Sequence, residues 1–479
     1  MNTYAKPRRG SSLWRVIVVL VVLLVIVWLL AMLFPGGGGD PTAKAAEATP
    51  DQVKQGEYLA RLGDCAACHT APGGKPYAGG LPIASPIGTI YSTNITPDPD
   101  TGIGKYSYGQ FERAVRRGIN ADGHTLYPAM PYPSYAKVSD QDIQALYAYF
   151  MHSVQPVKQD NHAEDIHWPL SMRWPLTYWR WLFAPKVSPI ETAATGDATM
   201  ARGQYLVEGL GHCGACHTPR AFTLQEKALS PRDGPAYLSG SVNDNWVTPS
   251  LRGELASGLG SVPEDELIAL LKSGRTERSA VFGGMSDVIE HSTQYMSDAD
   301  LAAMVHFLKS LPAARQEQAV TYDAATHTAL YSGNVSAPGA QLYIDNCATC
   351  HRTDGHGYGQ VYPALAGNPV LNGENPGSAV RLVLHGATMP AGRDAPTQFS
   401  MPAFRERLNN QQIADILTFV RSSWGNRGGA VTANQVADLR DKPPVGQPLM
   451  TSYDPRVRDP NELKADAEDQ VPPTPAPSK

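Results

Sequence analysis

All six cysteines of this 479-residue chain fall into three copies of one pentad, Cys-x-x-Cys-His. The copies are Cys65-Ala66-Ala67-Cys68-His69, Cys213-Gly214-Ala215-Cys216-His217 and Cys347-Ala348-Thr349-Cys350-His351. No cysteine remains for a structural disulfide or a catalytic thiol. Two thiols at this spacing can add across the vinyl groups of a haem, and the next side chain then turns beneath the iron as proximal ligand. A structural zinc site would need a second ligand pair in each copy, and a redox dithiol would want a βαβ setting. The sequence offers neither. The pentads therefore predict three covalently bound haem c groups, attached at Cys65, Cys68, Cys213, Cys216, Cys347 and Cys350. His69, His217 and His351 are the expected iron ligands.

A longer unit repeats around the pentads. Each copy opens with a short helix carrying glycine and tyrosine: Gly56 and Tyr58, Gly203 and Tyr205, Gly339 and Tyr343. A proline loop follows the pentad, at Thr96-Pro97, Thr248-Pro249 and Tyr362-Pro363. A middle helix then ends at a glycine, the favoured residue just past a helix; the versions are Phe111–Arg117, Glu264–Ser273 and Ser378–His385. Each unit closes with an amphipathic helix: Ser139 caps Asp140–Met151, Ser297 caps Asp298–Lys309, and Asn409 or Asn410 caps Gln411–Ser422.

A methionine loop precedes each closing helix, and an axial sulfur raises a haem's potential. Met130 lies in Tyr127-Pro128-Ala129-Met130-Pro131, and Met401 holds the corresponding place in the third unit, ahead of its competitor Met389. In the second unit, repeat geometry favours Met285 over Met296. His124 and His385 lie near these loops and offer a bis-histidine alternative. Arg220 is a candidate partner for a haem propionate, or simply a solvated side chain.

The N-terminus suggests a compartment. Lys6, Arg8, Arg9 and Arg15 precede an uncharged apolar run from Val16 to Phe34. Nineteen residues at helical rise cover about 28 Å, close to the roughly 30 Å of a bilayer's hydrocarbon core. The basic flank should stay cytoplasmic. A cleaved signal sequence, with Ala43-Lys44-Ala45 as its small-residue site, is the other reading. Either way, the globular part is expected on the periplasmic side of the inner membrane.

The expected fold is mainly α: three tandem cytochrome c-like domains preceded by one N-terminal transmembrane helix. Residues 1–12 form a basic cytoplasmic segment and 13–34 the anchor. The domains are 50–154, 197–312 and 337–428, separated by a Trp-rich connector (155–196) and a plain linker (313–336). Trp168, Trp174, Trp179 and Trp181 suit the first connector to a headgroup boundary or a partner surface. A Pro-rich tail, 429–479, lacks the apolar content for a core.

Forty basic against 45 acidic side chains give no concentrated basic face, so no nucleic-acid partner is expected. No catalytic residue is assigned. Gly102-Ile103-Gly104-Lys105 is too short and wrongly placed for a phosphate loop.

The motifs Asp64-Cys65-Ala66-Ala67-Cys68-His69-Thr70, Tyr127-Pro128-Ala129-Met130-Pro131-Tyr132, Leu170-Ser171-Met172-Arg173-Trp174-Pro175 and Asn346-Cys347-Ala348-Thr349-Cys350-His351-Arg352 carry a family resemblance. Over residues 50–428 the chain resembles the three-haem cytochrome c subunits of membrane-bound periplasmic alcohol, aldehyde and sugar-acid dehydrogenases. The resemblance implies electron transfer from a separate catalytic subunit, a quinoprotein, flavoprotein or molybdoprotein, to ubiquinone. It also implies Met130, Met285 and Met401 as axial ligands. The connector most resembles the alcohol dehydrogenase branch. The long apolar run departs from the family, whose members commonly carry an ordinary signal peptide. A cytochrome subunit of a terminal oxidase and a haem peroxidase are the rival readings.

Overall fold

The computed structural model describes residues 10–33, 38–190, 196–243 and 245–442. The expected anchor is helical: α1 runs Gly10–Leu33. Phe34 and the basic residues Lys6, Arg8 and Arg9 lie outside the described residues. From Trp14 to Leu30 the side chains of α1 are largely exposed, and their apolar character is unbroken after Arg15. Among the described residues, however, no helix is long and apolar enough to cross a membrane. The expected transmembrane span is corrected to that extent.

The rest is mainly helical, with three small antiparallel sheets, and one order of elements recurs. In the first repeat, α2 (Pro50–Leu62) leads into the pentad helix α3 (Cys65–His69), then α4 (Tyr108–Arg117), α5 (Tyr132–Tyr135) and α6 (Asp140–His152). Between the repeats lies α7 (Trp174–Phe183). The second has α8 (Ala198–Tyr205, running on as a π turn), the pentad helix α9 (Gly214–His217), α10 (Glu264–Ser273), α11 (Gly284–His291) and α12 (Asp298–Ser310). After α13 (Ala325–Tyr331), the third has α14 (Ala340–Asn346), the pentad helix α15 (Ala348–His351), α16 (Pro369–Asn372), α17 (Gly377–His385) and α18 (Asn410–Ser422), followed by α19 (Ala433–Arg440).

The helix ends follow from local chemistry. Ser139, Ser297 and Asn409 each accept a bond from the third backbone N–H of the helix they precede, satisfying a donor that the helix itself leaves unpaired. Gly118 and Gly274 end α4 and α10 at φ 63° and 76°, where a side chain would be strained.

The three glycines singled out above have one physical task. A Cβ on Gly56 would sit 1.9 Å from the carbonyl oxygen of Ala145, one on Gly203 2.0 Å from that of Ala303, and one on Gly339 2.3 Å from that of Asp415. Each glycine lets the opening helix of a repeat press against the backbone of its closing helix. The partners then bury their aromatic and aliphatic side chains at about 1.5–3 kcal/mol each.

The first two repeats do not have a core each. Leu59, Phe111, Ile143 and Phe150 of the first repeat share a continuous core with Tyr205, Leu206, Leu301 and Phe307 of the second. The third repeat has its own core, around Tyr343, Val380, Ile413, Leu417 and Trp424. Both flanks of that repeat are more structured than expected. In the 313–336 linker, Glu317 accepts from the backbone N–H groups of Ala256 and Ser257, Leu330 joins the third core, and Tyr322 donates to the carbonyl of Asp354. The tail begins later than residue 429. Val431 and Val436 enter the core, and α19 packs on α17 and α18 under a Thr432–Gln435 capping box. A few apolar residues at helical spacing were enough to cover an existing core edge. Residues 443–479 lie outside the described residues.

The Trp-rich connector is laid across the molecule rather than strung between units. Its strand β3 (Asp165–Ile166) extends the sheet of β1 (Pro82–Ser85) and β2 (Gly88–Tyr91). Trp179 donates to the carbonyl of Thr223 (2.7 Å) and packs edge-on against Tyr132. Tyr178 donates to the carbonyl of Val27, joining α7 to α1, while Trp168 and Leu182 stay largely exposed.

Candidate functional site

Each pentad forms a short helical turn whose histidine is held in the same way. The Nδ1 of His69 lies 2.7 Å from the carbonyl of Thr93, that of His217 2.9 Å from Pro249, and that of His351 3.0 Å from Pro363. A carbonyl only accepts, so Nδ1 must carry the hydrogen, and the free lone pair is left on Nε2. Burial holds all three imidazoles below their usual pKa. They are therefore neutral imidazoles of fixed tautomer and fixed ring direction, held through the far nitrogen in the manner of metal-binding histidines.

The second and third carbonyls belong to Pro249 and Pro363 of the proline loops. The first does not: Thr93 serves, and Thr96-Pro97 lies farther on. The β1–β2 hairpin and Gly79, which contacts the backbone at Thr93, bring Thr93 to the imidazole. Asn94 then locks the turn by donating to the carbonyl of Val157 (2.7 Å) and accepting from Thr96 (2.7 Å). The departure was signalled only by the longer spacing between pentad and loop.

None of the six thiols is in a disulfide. Burial pushes Cys65, Cys68, Cys213 and Cys347 up to about 12, the reverse of an activated thiolate. Among the described residues, no cluster of three His, Cys, Asp or Glu side chains is placed to hold a metal ion directly. Protonated thiols beside a neutral imidazole suit attachment of a prosthetic group better than dithiol exchange.

The third repeat shows the space for that group. A cleft of about 1260 Å³ is lined by Cys347, Cys350 and His351 and walled by apolar side chains including Leu365, Leu371, Val383 and Phe404. Met401 and Met389 both line it. Met401 lies on β7 (Ser400–Met401), which pairs with β6 (Ala387–Thr388), and packs against the third core. Two thiols, one imidazole nitrogen and a thioether around an apolar slot fit a covalent haem.

In the second repeat Met285 stands half-buried in the first turn of α11, after Gly283 and Gly284, whereas Met296 is a buried member of the shared core. Met130 is half-buried at the edge of the same core, and its loop is braced by Arg173, stacked 4.1 Å over the Tyr127 ring. The bis-histidine candidates go elsewhere: His124 is exposed, and the Nε2 of buried His385 faces the carbonyl of Leu439. Arg220 does not stand free, and its charge acts on Glu226. It donates to the carbonyls of Leu224 and Ala215, clamping the second pentad helix (2.8 Å each).

The first two pentads approach one another. Cys216 is among the charges that raise the Cys68 thiol, and Asp287 on α11 acts on Asp64 beside Cys65. Toward the third repeat, the hairpin of β4 (Ser241–Asn243) and β5 (Trp246–Thr248) carries the contact. Asn243 and Thr248 donate to the carbonyl of Cys216, and Val247 exchanges bonds of 2.8 and 2.9 Å with the Ser378 hydroxyl on α17.

Comparison with known proteins agrees with this chemistry. The profile of the cytochrome c family matches residues 53–153 and 336–424. The chain is 54% identical over 418 residues to the cytochrome c subunit of a quinone alcohol dehydrogenase from Gluconacetobacter polyoxogenes, covering 86% of this chain and 89% of that protein. It is 56% identical over 393 residues to the gluconate 2-dehydrogenase cytochrome c subunit of Pantoea cypripedii, covering 81% and 89%. With the cytochrome c subunit of the quinone alcohol dehydrogenase of Gluconobacter oxydans it shares 50% over 413 residues, 86% of each chain. The chain belongs to the cytochrome c subunits of dehydrogenases, which hold haem c covalently and carry electrons for a separate catalytic subunit.

Proposed function

We propose that the chain carries three haem c groups, one at each pentad, and passes electrons from a periplasmic dehydrogenase to ubiquinone. An alcohol dehydrogenase is the first choice of partner, then an aldehyde or sugar-acid enzyme. When bound, haem supplies a one-electron ferrous–ferric couple. The protein supplies attachment, orientation and surroundings. Cys65 and Cys68, Cys213 and Cys216, and Cys347 and Cys350 hold the porphyrins. His69, His217 and His351 would supply Nε2 to the iron, and Met130, Met285 and Met401 would supply a thioether sulfur. The apolar walls exclude water, which favours the less charged ferrous state.

One observation carries this reading: the Nδ1-to-carbonyl bond occurs three times, once behind each pentad histidine. Three separate parts of the sequence converge on one way of presenting an imidazole nitrogen.

Membrane attachment belongs to the same proposal. The exposed apolar surface of α1, with α7 against it, would seat the molecule on the periplasmic face of the inner membrane. Mass spectrometry of the native complex extracted in detergent tests all of this. Three added haem masses and a co-purifying dehydrogenase subunit are expected; fewer haems on the mature chain would refute the three-site assignment. Removing residues 10–33 should move the protein from the membrane to the soluble fraction.

A further inference from the structure

Several buried arginines among the described residues are anchored by side-chain bonds to backbone or acid. Arg421 donates to the carbonyls of Gly429 and Gly373, and Arg252 to that of Tyr237. Arg116 is paired with Glu112 and Asp140. Arg275 differs. It is 4% exposed, its Nε and Nη1 have no hydrogen-bond partner, and burial alone lowers its pKa, with no carboxylate among the described residues offsetting that cost. A buried cation with no counter-charge is too costly for a fold to keep without a reason.

Its position supplies the reason. Arg275 directly follows Gly274, which ends the middle helix of the second repeat. The matching residue of the third repeat, Ala387 after Gly386, lines the haem cleft there. By the repeat, Arg275 therefore occupies the wall of the second haem site. It also reaches the third: its guanidinium lies 5.3 Å over the ring of Phe399, which lines the third cleft. The strand partner of Arg275, Ala280, lines that cleft as well. A Cβ on Gly274 would meet Pro390 at 2.4 Å, so this turn is pressed directly onto the third repeat.

We propose that Arg275 binds a haem carboxylate at the junction of the second and third repeats. The two propionates are the anionic groups of a haem, and a guanidinium fork matches a carboxylate. The ion pair neutralises both partners within the protein and keeps the propionate ionised. The carboxylate can come from either neighbouring haem; both present the same chemistry to the same side chain. This inference rests on the reading that both pentads carry haem.

The test uses the full-length, haem-loaded protein. In Arg275→Gln the orphaned propionate charge favours the ferric state, so one midpoint potential falls in a spectroelectrochemical titration. Arg275→Lys, which retains the charge, restores most of that fall. Repeating the titration in Met285→His and Met401→His backgrounds, which mark the two haems separately, tells whether the second or third haem is the source. Unchanged potentials in Arg275→Gln with a full haem complement overturn the proposal while leaving the haem reading intact. Should Arg275→Gln not accumulate, Arg275→Lys decides by resonance Raman: a shifted propionate-bending band supports the contact, and an unchanged band overturns it. A wild-type chain lacking haem at Cys213 or Cys347 removes the underlying reading and this inference together.

Discussion

The hydroxyl of Tyr58 donates a 2.7 Å bond to the Asp300 carboxylate, in the first turn of α12, and accepts from the backbone N–H of Ser297. Tyr205 does the same in the other direction, donating to Asp142 and accepting from Ser139 at the start of α6. The opening helix of each of the first two repeats thus completes the cap of the other's closing helix. Arg202 adds a two-pronged ion pair to Asp300 at 2.8 Å. In the third repeat the corresponding Tyr343 donates inside its own unit, to the carbonyl of Arg352. That difference accounts for one shared core and one separate core.

Tyr58→Phe should lower the thermal midpoint, because a hydrogen bond to a charged group contributes about 1.5–3 kcal/mol. Amide exchange at 297–300 should speed up while that at 410–413 stays unchanged. Equal exchange in wild type and variant would contradict the reciprocal cap.

The three helix-crossing glycines make a sharper test of how the cores are divided. Alanine at any of them places a carbon within 2.3 Å of a carbonyl oxygen, at or beyond the upper end of the roughly 1–3 kcal/mol of an overpacked core. Gly56→Ala and Gly203→Ala should each expose both of the first two repeats to protease. Gly339→Ala should expose the third alone. Limited proteolysis with haem staining of the fragments distinguishes these patterns.

Met285→Leu should lower one haem midpoint potential by removing an axial sulfur, whereas Met296→Leu, a change within the core, should leave all potentials in place. A redox titration with the opposite outcome would transfer the ligand role to Met296.

Asp64 carries a pH dependence. Burial first, and then the charge of Asp287, raise its carboxyl to about 8, against about 3.9 in an unfolded chain. Between those values the native state holds a proton that the unfolded state has released, so stability falls as pH rises through the window. Asp64→Asn should therefore gain thermal midpoint relative to wild type as pH rises from 4 to 8, measured by parallel melts of the two proteins.

Much of the site was legible in the sequence because its chemistry is local. A pentad puts thiols and imidazole on one helical turn, Ser139, Ser297 and Asn409 announce helix starts, and a repeated glycine marks a close crossing. What escaped depends on distance along the chain. The tyrosines stood out as a pattern, but the partner of Tyr58 lies 242 residues away. The segment 429–442 looked too polar to fold, yet Val431 and Val436 needed only a pre-existing apolar edge. Arg275 gave no signal beyond its place after Gly274, since an unpaired cation shows its significance only once its burial is known.

The reciprocal cap also sets an order of events in biosynthesis. The first repeat cannot be finished when its own last helix leaves the ribosome, because α6 waits for Tyr205 and Tyr58 waits for Asp300. Cys65 and Cys68 therefore lie in a fold that is completed only once residue 300 has been made, whereas the third repeat, sealed by its own Tyr343, can close independently.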